Sequence, residues 1–333
     1  MTTRPVGRRS TMLLAGSAAL LPALPAAAQV QSWTAYTYNP AATVPPAKAL
    51  YKLAEDMEKA TNGQLVIKIH LGGSLPIQTT NITQAVSDNV VQFADDGFFQ
   101  GNVPIGGVMR LPMLVNTAEE FAQAGKVMLP FLEAAYAKKG IVVLGYYAFP
   151  LQVAWSRRKL TSLDELKGMK MRTTSPEQSE FVRRFGGIPV TLGAPEVPSA
   201  LDRGIVEGVF TAASGGGRLW KDLLKYCYDI GPNYFDSLLI VNKEAFEKLP
   251  PDTQAKLRAA ATEAAVFDTK QLAVDEGEVR AQLKTQGIIF TEVKRADVQS
   301  GIDKLKPYWD EWAKPRGPDA VAALGQVRAL LGR

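Results

Sequence analysis

The sequence predicts an α/β protein whose strands run parallel and are joined by helical crossovers. Three observations predict it. The stretch 167–213 alternates strand, helix, strand, helix and strand, the rhythm of parallel pairing. Apolar runs at 65–71 and 140–147 read as further strands, each following a segment of helical period. The 333 residues, 46% of them hydrophobic, suffice for one large or two medium domains with packed cores.

The N-terminus reads as a targeting segment. Arg8–Arg9 precede the apolar run 12–21, and Ala26–Ala27–Ala28 offers a small-residue cleavage site before Gln29. The run is too short for a membrane span. A twin-arginine signal and an ordinary secretory signal both fit it, and either implies export. The first 28 residues hold Arg4, Arg8 and Arg9 and no acid, so removing them lowers the formal net charge from +5 to +2. That near-neutral chain has no footprint for nucleic acid. No later apolar run is long enough to span a bilayer.

The mature chain opens on the alternating strand 32–38, ended by Asn39–Pro40. Ala49, Leu50, Leu53 and Met57 fall at helical spacing, so 45–60 is a helix that stops at Thr61–Asn62–Gly63. A strand over 65–71 turns at Gly72–Gly73, a helix covers 80–89, and a strand covers 90–94. Residues 119–139 are helical and 140–147 form a buried strand. Within 167–213, Met169–Arg172 alternates as a short strand before a Thr-Thr-Ser-Pro turn. Ser175 and Pro176 then mark a helix start as N-cap and first helical residue. Strands follow at 188–192 and 206–211, separated by a helix opening at Glu196–Val197. Beyond them a helix is expected over 220–225, a strand over 237–242, a long helix over 251–286 and a strand over 287–291. Two helices near Trp309 and Trp312 close the chain.

Few residues invite chemistry. His70, the sole histidine, has no neighbouring nucleophile or orienting motif, so it reads as a strand residue. With one histidine and one cysteine, Cys227, a histidine-rich zinc site is excluded by count and an intrachain disulfide is impossible. No metal and no cofactor is expected. Ser214–Gly215–Gly216–Gly217 lacks the Lys-Ser/Thr ending of a phosphate loop and reads as a turn or close-approach site. Asp95–Asp96–Gly97–Phe98–Phe99, at the end of its strand, fits an acidic site or a turn with one aromatic wall. Ligands of parallel sheets sit outside the carboxyl ends of strands, where Arg172 and Thr211 fall.

The same stretch resembles the DctP-type solute-binding proteins of tripartite ATP-independent periplasmic (TRAP) transporters. The likeness is carried by Leu166–Lys167–Gly168–Met169–Lys170–Met171–Arg172, then Gly187–Ile188–Pro189–Val190, Glu196–Val197 and Val206–Glu207–Gly208. It extends through Thr61–Asn62–Gly63, Arg110–Leu111–Pro112, Asn242–Lys243 and Leu249–Pro250. The resemblance implies a two-lobed binding protein of Venus-flytrap type, each lobe a mainly parallel sheet flanked by helices, with a long helix spanning both. It implies a signal peptide over 1–28, one lobe from 29–152 plus 237–283, and another from 153–236 plus 284–333. It also implies that Arg172 clamps a ligand carboxylate and that the 95–99 loop lines the cleft.

Where many members carry Asn-Gly-x-Arg, with a second arginine on the ligand, this chain has Phe149–Pro150–Leu151–Gln152. Where many carry an asparagine before a proline after the Val-Asp-Gly turn, it has Thr211–Ala212. A neutral amide at Gln152 suits a hydroxyl or oxo group better than a second carboxylate. The expected binding set is Arg172, Gln152, Thr211, Tyr38, Asp96, Phe98, Phe99, Trp155 and Phe235, with no catalytic residue. Phe149 is a further wall candidate, and each of these aromatics also fits a purely core role. The expected ligand is an organic acid with one carboxylate and an apolar body, such as an aromatic or 2-oxo monocarboxylate. A C4-dicarboxylate, a hydroxy acid or a sugar acid are the alternatives. The expected protein is periplasmic and monomeric, is not inserted in the membrane, and delivers its cargo to a TRAP-type permease. A sensor subunit would look the same. An exported enzyme is the rival class, but no Gly-x-Ser-x-Gly elbow or His-Glu-x-x-His helix is present.

Overall fold

The computed structural model describes residues 1–3 and 30–333, so the expected leader and its cleavage site lie outside the described residues. The strands are β1 (Gln31–Thr37), β2 (Leu65–His70), β3 (Phe93–Asp96), β4 (Ile141–Ser156), β5 (Lys170–Thr173), β6 (Ile188–Thr191), β7 (Gly208–Thr211), β8 (Tyr226–Asn242) and β9 (Ile289–Thr291). The helices are α1 (Pro45–Ala60), α2 (Ile82–Ser87), α3 (Ala118–Ala137), α4 (Pro176–Arg184), α5 (Val197–Asp202), α6 (Lys243–Glu247), α7 (Pro251–Thr285), α8 (Arg295–Ala313) and α9 (Pro318–Leu331).

The strands form one sheet in the order β2-β1-β3-β8-β4-β7-β5-β6, with β9 beside β8. Two parallel groups lie at its ends. β1 pairs with β2 and β3 in the first lobe, and β5 pairs with β6 and β7 in the second. The long antiparallel pair β4 and β8 joins them: Ile141–Phe149 lies beside Phe235–Asn242 in the first lobe, and Ala154–Ser156 lies beside Tyr226–Tyr228 in the second. The register slips between Phe149 and Leu151 and again between Gln152 and Ala154, where the strands pass from lobe to lobe. Such bulges bend and twist a strand locally.

Among the described residues, three apolar cores follow from strand alternation. Trp33, Phe93 and Leu238 belong to the core of the first lobe. In the second lobe, Ala154 and Phe210 face one core, with Phe181, while Val153, Trp155 and Val209 face another on the opposite side. Helix α7 serves both lobes. Leu257, Ala261, Ala265 and Leu272 pack in the first core, whereas Val279 and Leu283 pack in the second lobe.

Four local expectations are corrected. The strand expected over 90–94 begins three residues later: Val90 is exposed, and Asp95 and Asp96 are inside β3 rather than beyond it. The expected helix over 220–225 is a turn, and Ala213–Gly217 forms a π-type turn instead. The strands expected over 140–147 and 237–242 are the first-lobe parts of β4 and β8, which continue through Pro150 and Pro232 because bulges absorb the breaks. Finally, 284–333 does not all lie in the second lobe. Trp309, Trp312, Ala323, Leu324 and Val327 bury their apolar surface in the core of the first.

Candidate functional site

Local sequence aims Arg172 into the space between the lobes. The β5 backbone is held on both sides, Arg172 being opposite Val190 of β6 and Val209 of β7. Its chain then leaves the sheet at Thr174 and enters α4, where Ser175 caps the helix by accepting from Gln178 N and Pro176 supplies the first turn. Arg172 is only 3% exposed. Its Nε donates to Leu192 O at 2.9 Å and its Nη1 to Phe210 O at 3.1 Å. The guanidinium carbon lies 5.4 Å from the Trp220 ring and 5.9 Å from the Phe98 ring.

Among the described residues, Arg172 makes no ion pair. A guanidinium carries five N–H donors, so the two carbonyls leave three for a ligand. Burial pushes its pKa down to about 9. The group is still charged at neutral pH, in a site of low dielectric where an anion is strongly favoured.

The guanidinium borders a small cavity of about 50 Å³. Tyr38, Phe98, Phe149 and Phe235 make its first-lobe wall, with Tyr38–Phe98, Phe98–Phe235 and Phe149–Phe235 centroids at 5.5, 5.6 and 5.4 Å. These are edge-to-face contacts that hold the rings rigidly. Gly97 is required beneath them, because a Cβ there would lie 2.6 Å from Phe235 and 2.8 Å from Tyr38. Gln152, Thr174, Thr211, Gly215, Gly216 and Trp220 line the remaining sides.

Buried charges behind the wall are spent on the protein itself. Arg110 Nε is 2.6 Å from Asp236 Oδ1, and its Nη2 donates to Gly97 O and Asp236 O. Asp95 accepts from Thr37, Asn39, Tyr147 and Ser237. Burial raises its pKa to about 6 despite those donors. Asp96 accepts from Thr83 and from Phe98 N, and burial raises its pKa to about 7. It thereby fixes the loop that presents Phe98.

Of the nine residues expected to bind, six line the cavity: Arg172, Gln152, Thr211, Tyr38, Phe98 and Phe235. Asp96, Phe99 and Trp155 do not. Phe99 packs against Tyr136 in the first core, and Trp155 is buried in the second lobe with its Nε1 donating to Thr211 O at 2.9 Å. Asp96 and Trp155 support the lining from behind, through Phe98 N and Thr211 O, whereas Phe99 is a core residue. Sequence reasoning missed Asn39, Thr174 and Trp220. The first two had a signal, since Thr174 directly follows the end of β5 and Asn39 lies two residues past the end of β1; Trp220 had none, being carried in by the turn after β7. Gln152 Nε2 donates to Pro150 O at 2.8 Å, which fixes its amide at the point where β4 changes lobes. His70 sits on β2 opposite Tyr36, outside the cavity lining. Among the described residues, no group of three His, Cys, Asp or Glu side chains is placed to hold a metal ion.

The lobes touch at the rim. A Cβ on Gly193 would lie 2.2 Å from Thr79 Oγ1, and one on Gly73 would lie 3.6 Å from Pro195. Gly193 has φ −68°, which any residue adopts, so close approach of the lobes is what requires a glycine there. Among the described residues, no helix is long and apolar enough to cross a membrane.

A sequence model of the family DctP, bacterial extracellular solute-binding protein family 7, matches residues 36–315. The C4-dicarboxylate-binding periplasmic protein of Rhodobacter capsulatus is 26% identical over 307 residues, 88% of this chain and 90% of that protein. Two solved extracytoplasmic solute receptors of Bordetella pertussis that bind pyroglutamic acid share the fold, each with a TM-score of 0.84. They are 24% and 25% identical, and the match covers 90% of this chain and 100% of each receptor.

Proposed function

The chain belongs to the DctP family of bacterial extracellular solute-binding proteins, and from that premise we propose that it captures a small organic acid by one carboxylate and hands it to a TRAP-type permease. One observation carries the reading: Arg172 is a buried cation with three donors to spare and no acidic partner among the described residues, at the edge of an aromatic-walled cavity. A bidentate guanidinium–carboxylate pair is among the strongest polar contacts available.

The rest of the lining argues for a neutral remainder of the ligand. Tyr38, Asn39, Gln152, Thr174 and Thr211 are uncharged, and Arg110, the other buried cation nearby, is committed to Asp236. A second carboxylate would find no second cation in the lining. The aromatic wall favours an apolar ring or chain, worth roughly 25 cal/mol per Å² buried before ordering costs. A compact monocarboxylate bearing a neutral polar group fits, of the kind that the Bordetella receptor with 25% identity binds. The Rhodobacter relative's dicarboxylate fits less well.

In this reading the lobes close over the ligand, because it touches both and so favours the closed state. One lobe comprises 30–152, 237 to about 272, the end of α8 from Trp309 and α9; the other comprises 153–236, the strand after α7 and the start of α8, whose Leu305 packs with Phe181 and Phe210. The chain acts in the periplasm as a monomer, is not inserted in the membrane, and releases its acid unchanged rather than acting on it. The test is calorimetric titration of the chain from Gln29 with pyroglutamate, aromatic monocarboxylates, 2-oxo acids, C4-dicarboxylates and sugar acids. A monocarboxylate that binds and is recovered intact supports the reading. Binding of dicarboxylates alone overturns the neutral second pole, and chemical conversion of the bound acid overturns the transport assignment.

A further inference from the structure

We infer that Glu276, on the long helix α7, is a positioning residue for the ligand cavity: it holds the glycine-rich turn Ala213–Gly217 in the shape that forms one wall. The inference rests on the binding function proposed above. Gly215 and Gly216 line the cavity beside Trp220. Every backbone N–H of the turn has an assigned acceptor. Gly215 N and Gly217 N donate to Ala212 O, and Gly216 N donates to Thr211 Oγ1 at 3.0 Å. The two remaining N–H groups, of Ala213 and Ser214, donate to Glu276 Oε1 at 3.1 Å and Oε2 at 2.8 Å, and Ser214 Oγ donates to Oε2 at 3.0 Å. One carboxylate thus satisfies three donors of the turn in a charge-assisted arrangement.

The turn resembles an anion-binding nest, but its donors are already filled by the protein, so a ligand carboxylate is left to Arg172. The filling group also stands at a particular place. Leu272 of α7 packs in the first-lobe core and Val279 in the second, so Glu276 lies where the helix passes from one lobe to the other. Its neighbour Asp275 pairs with Arg218, the residue that follows the turn. The wall is therefore fastened to the spanning helix at its crossing point, and it shifts with that helix.

The test compares the chain with its Glu276→Ala and Glu276→Gln variants by amide hydrogen exchange over 211–220 and by calorimetry with the acid the parent binds. Glu276→Ala is expected to raise exchange in the turn and to weaken the acid by about tenfold or more, since hydrogen bonds to a charged acceptor are lost. Glu276→Gln keeps one acceptor oxygen and is expected to fall between, which a general loss of fold would not produce. Unchanged exchange in Glu276→Ala overturns the inference, and so does faster exchange with unchanged affinity. If the parent binds no acid, the proposed function fails while the exchange contrast still decides whether Glu276 holds the turn.

Discussion

Arg172→Met is expected to move stability and affinity in opposite directions. In the unliganded protein the Arg172 guanidinium is buried with only two carbonyl acceptors, Leu192 O and Phe210 O. Removing an ion from water costs several kcal/mol even after relaxation. Two hydrogen bonds from a charged donor return about 1.5–3 kcal/mol each. Met fills similar space without the charge and forgoes those bonds, so the free protein is expected to be as stable as the parent or about 1–2 kcal/mol more stable. The acid loses its buried counter-charge, which costs about 2–5 kcal/mol and weakens binding roughly 30- to 4000-fold. Urea unfolding without ligand, beside calorimetric titration, reads both quantities. A loss of more than about 2 kcal/mol in the free protein would make Arg172 a structural residue, and retained affinity would take it out of the binding site.

Other perturbations separate wall, support and rim. Arg110→Met leaves Asp236 buried without its partner and is expected to cost about 3–5 kcal/mol, read by urea unfolding; a change below 1 kcal/mol would refute a structural role. Gly193→Val places atoms where Thr79 stands at the closed rim and is expected to lower acid affinity about tenfold or more by depleting the closed state, with little change in stability. An unchanged titration would show that the rim does not need to meet. Gln152→Arg adds a cation at the lobe crossing and is expected to shift preference toward dicarboxylates; the same ranking across an acid panel would count against Gln152 facing the ligand. Asp268 on α7 is 1% exposed with an unpartnered Oδ1, and burial raises its pKa from 3.8 to about 8. The folded state therefore binds the extra proton between those values, and its stability contribution is lost as pH rises from about 4 to about 8. Asp268→Asn is expected to match the parent near pH 4 and exceed it at pH 8; parallel stability curves would refute this.

The legible parts of the sequence were those fixed by neighbours along the chain. The β5–α4–β6–α5–β7 succession was readable because Ser175, Pro176 and the Gly186–Gly187 stop act locally, and Arg172 could be found because it ends a strand in that succession. What depends on distant partners was not readable. β4 and β8 looked like short strands because Pro150 and Pro232 interrupt them, and only their mutual pairing carries them through. Asp96 read as a cleft residue because an acid beside phenylalanines looks functional; its partner Thr83 lies on α2 and shows it pinning the loop. Arg110 and Asp236 are 126 positions apart, so nothing nearby in the sequence announces their pairing. Trp220 reaches the cavity through a turn whose shape is set by Glu276, more than fifty residues later.

The unbroken β4–β8 pair has a consequence for how the molecule comes apart. Two lobes joined by exposed linkers would melt separately and survive as isolated fragments. Here each lobe completes its sheet with strands that continue into the other, and α7 contributes to the cores of both. Cutting the chain between lobes would strip each of its central strands and expose their backbone donors and acceptors. Neither lobe is a folding unit in its own right. That continuity ties both lobes to one cooperative transition, so heating should produce a single calorimetric peak.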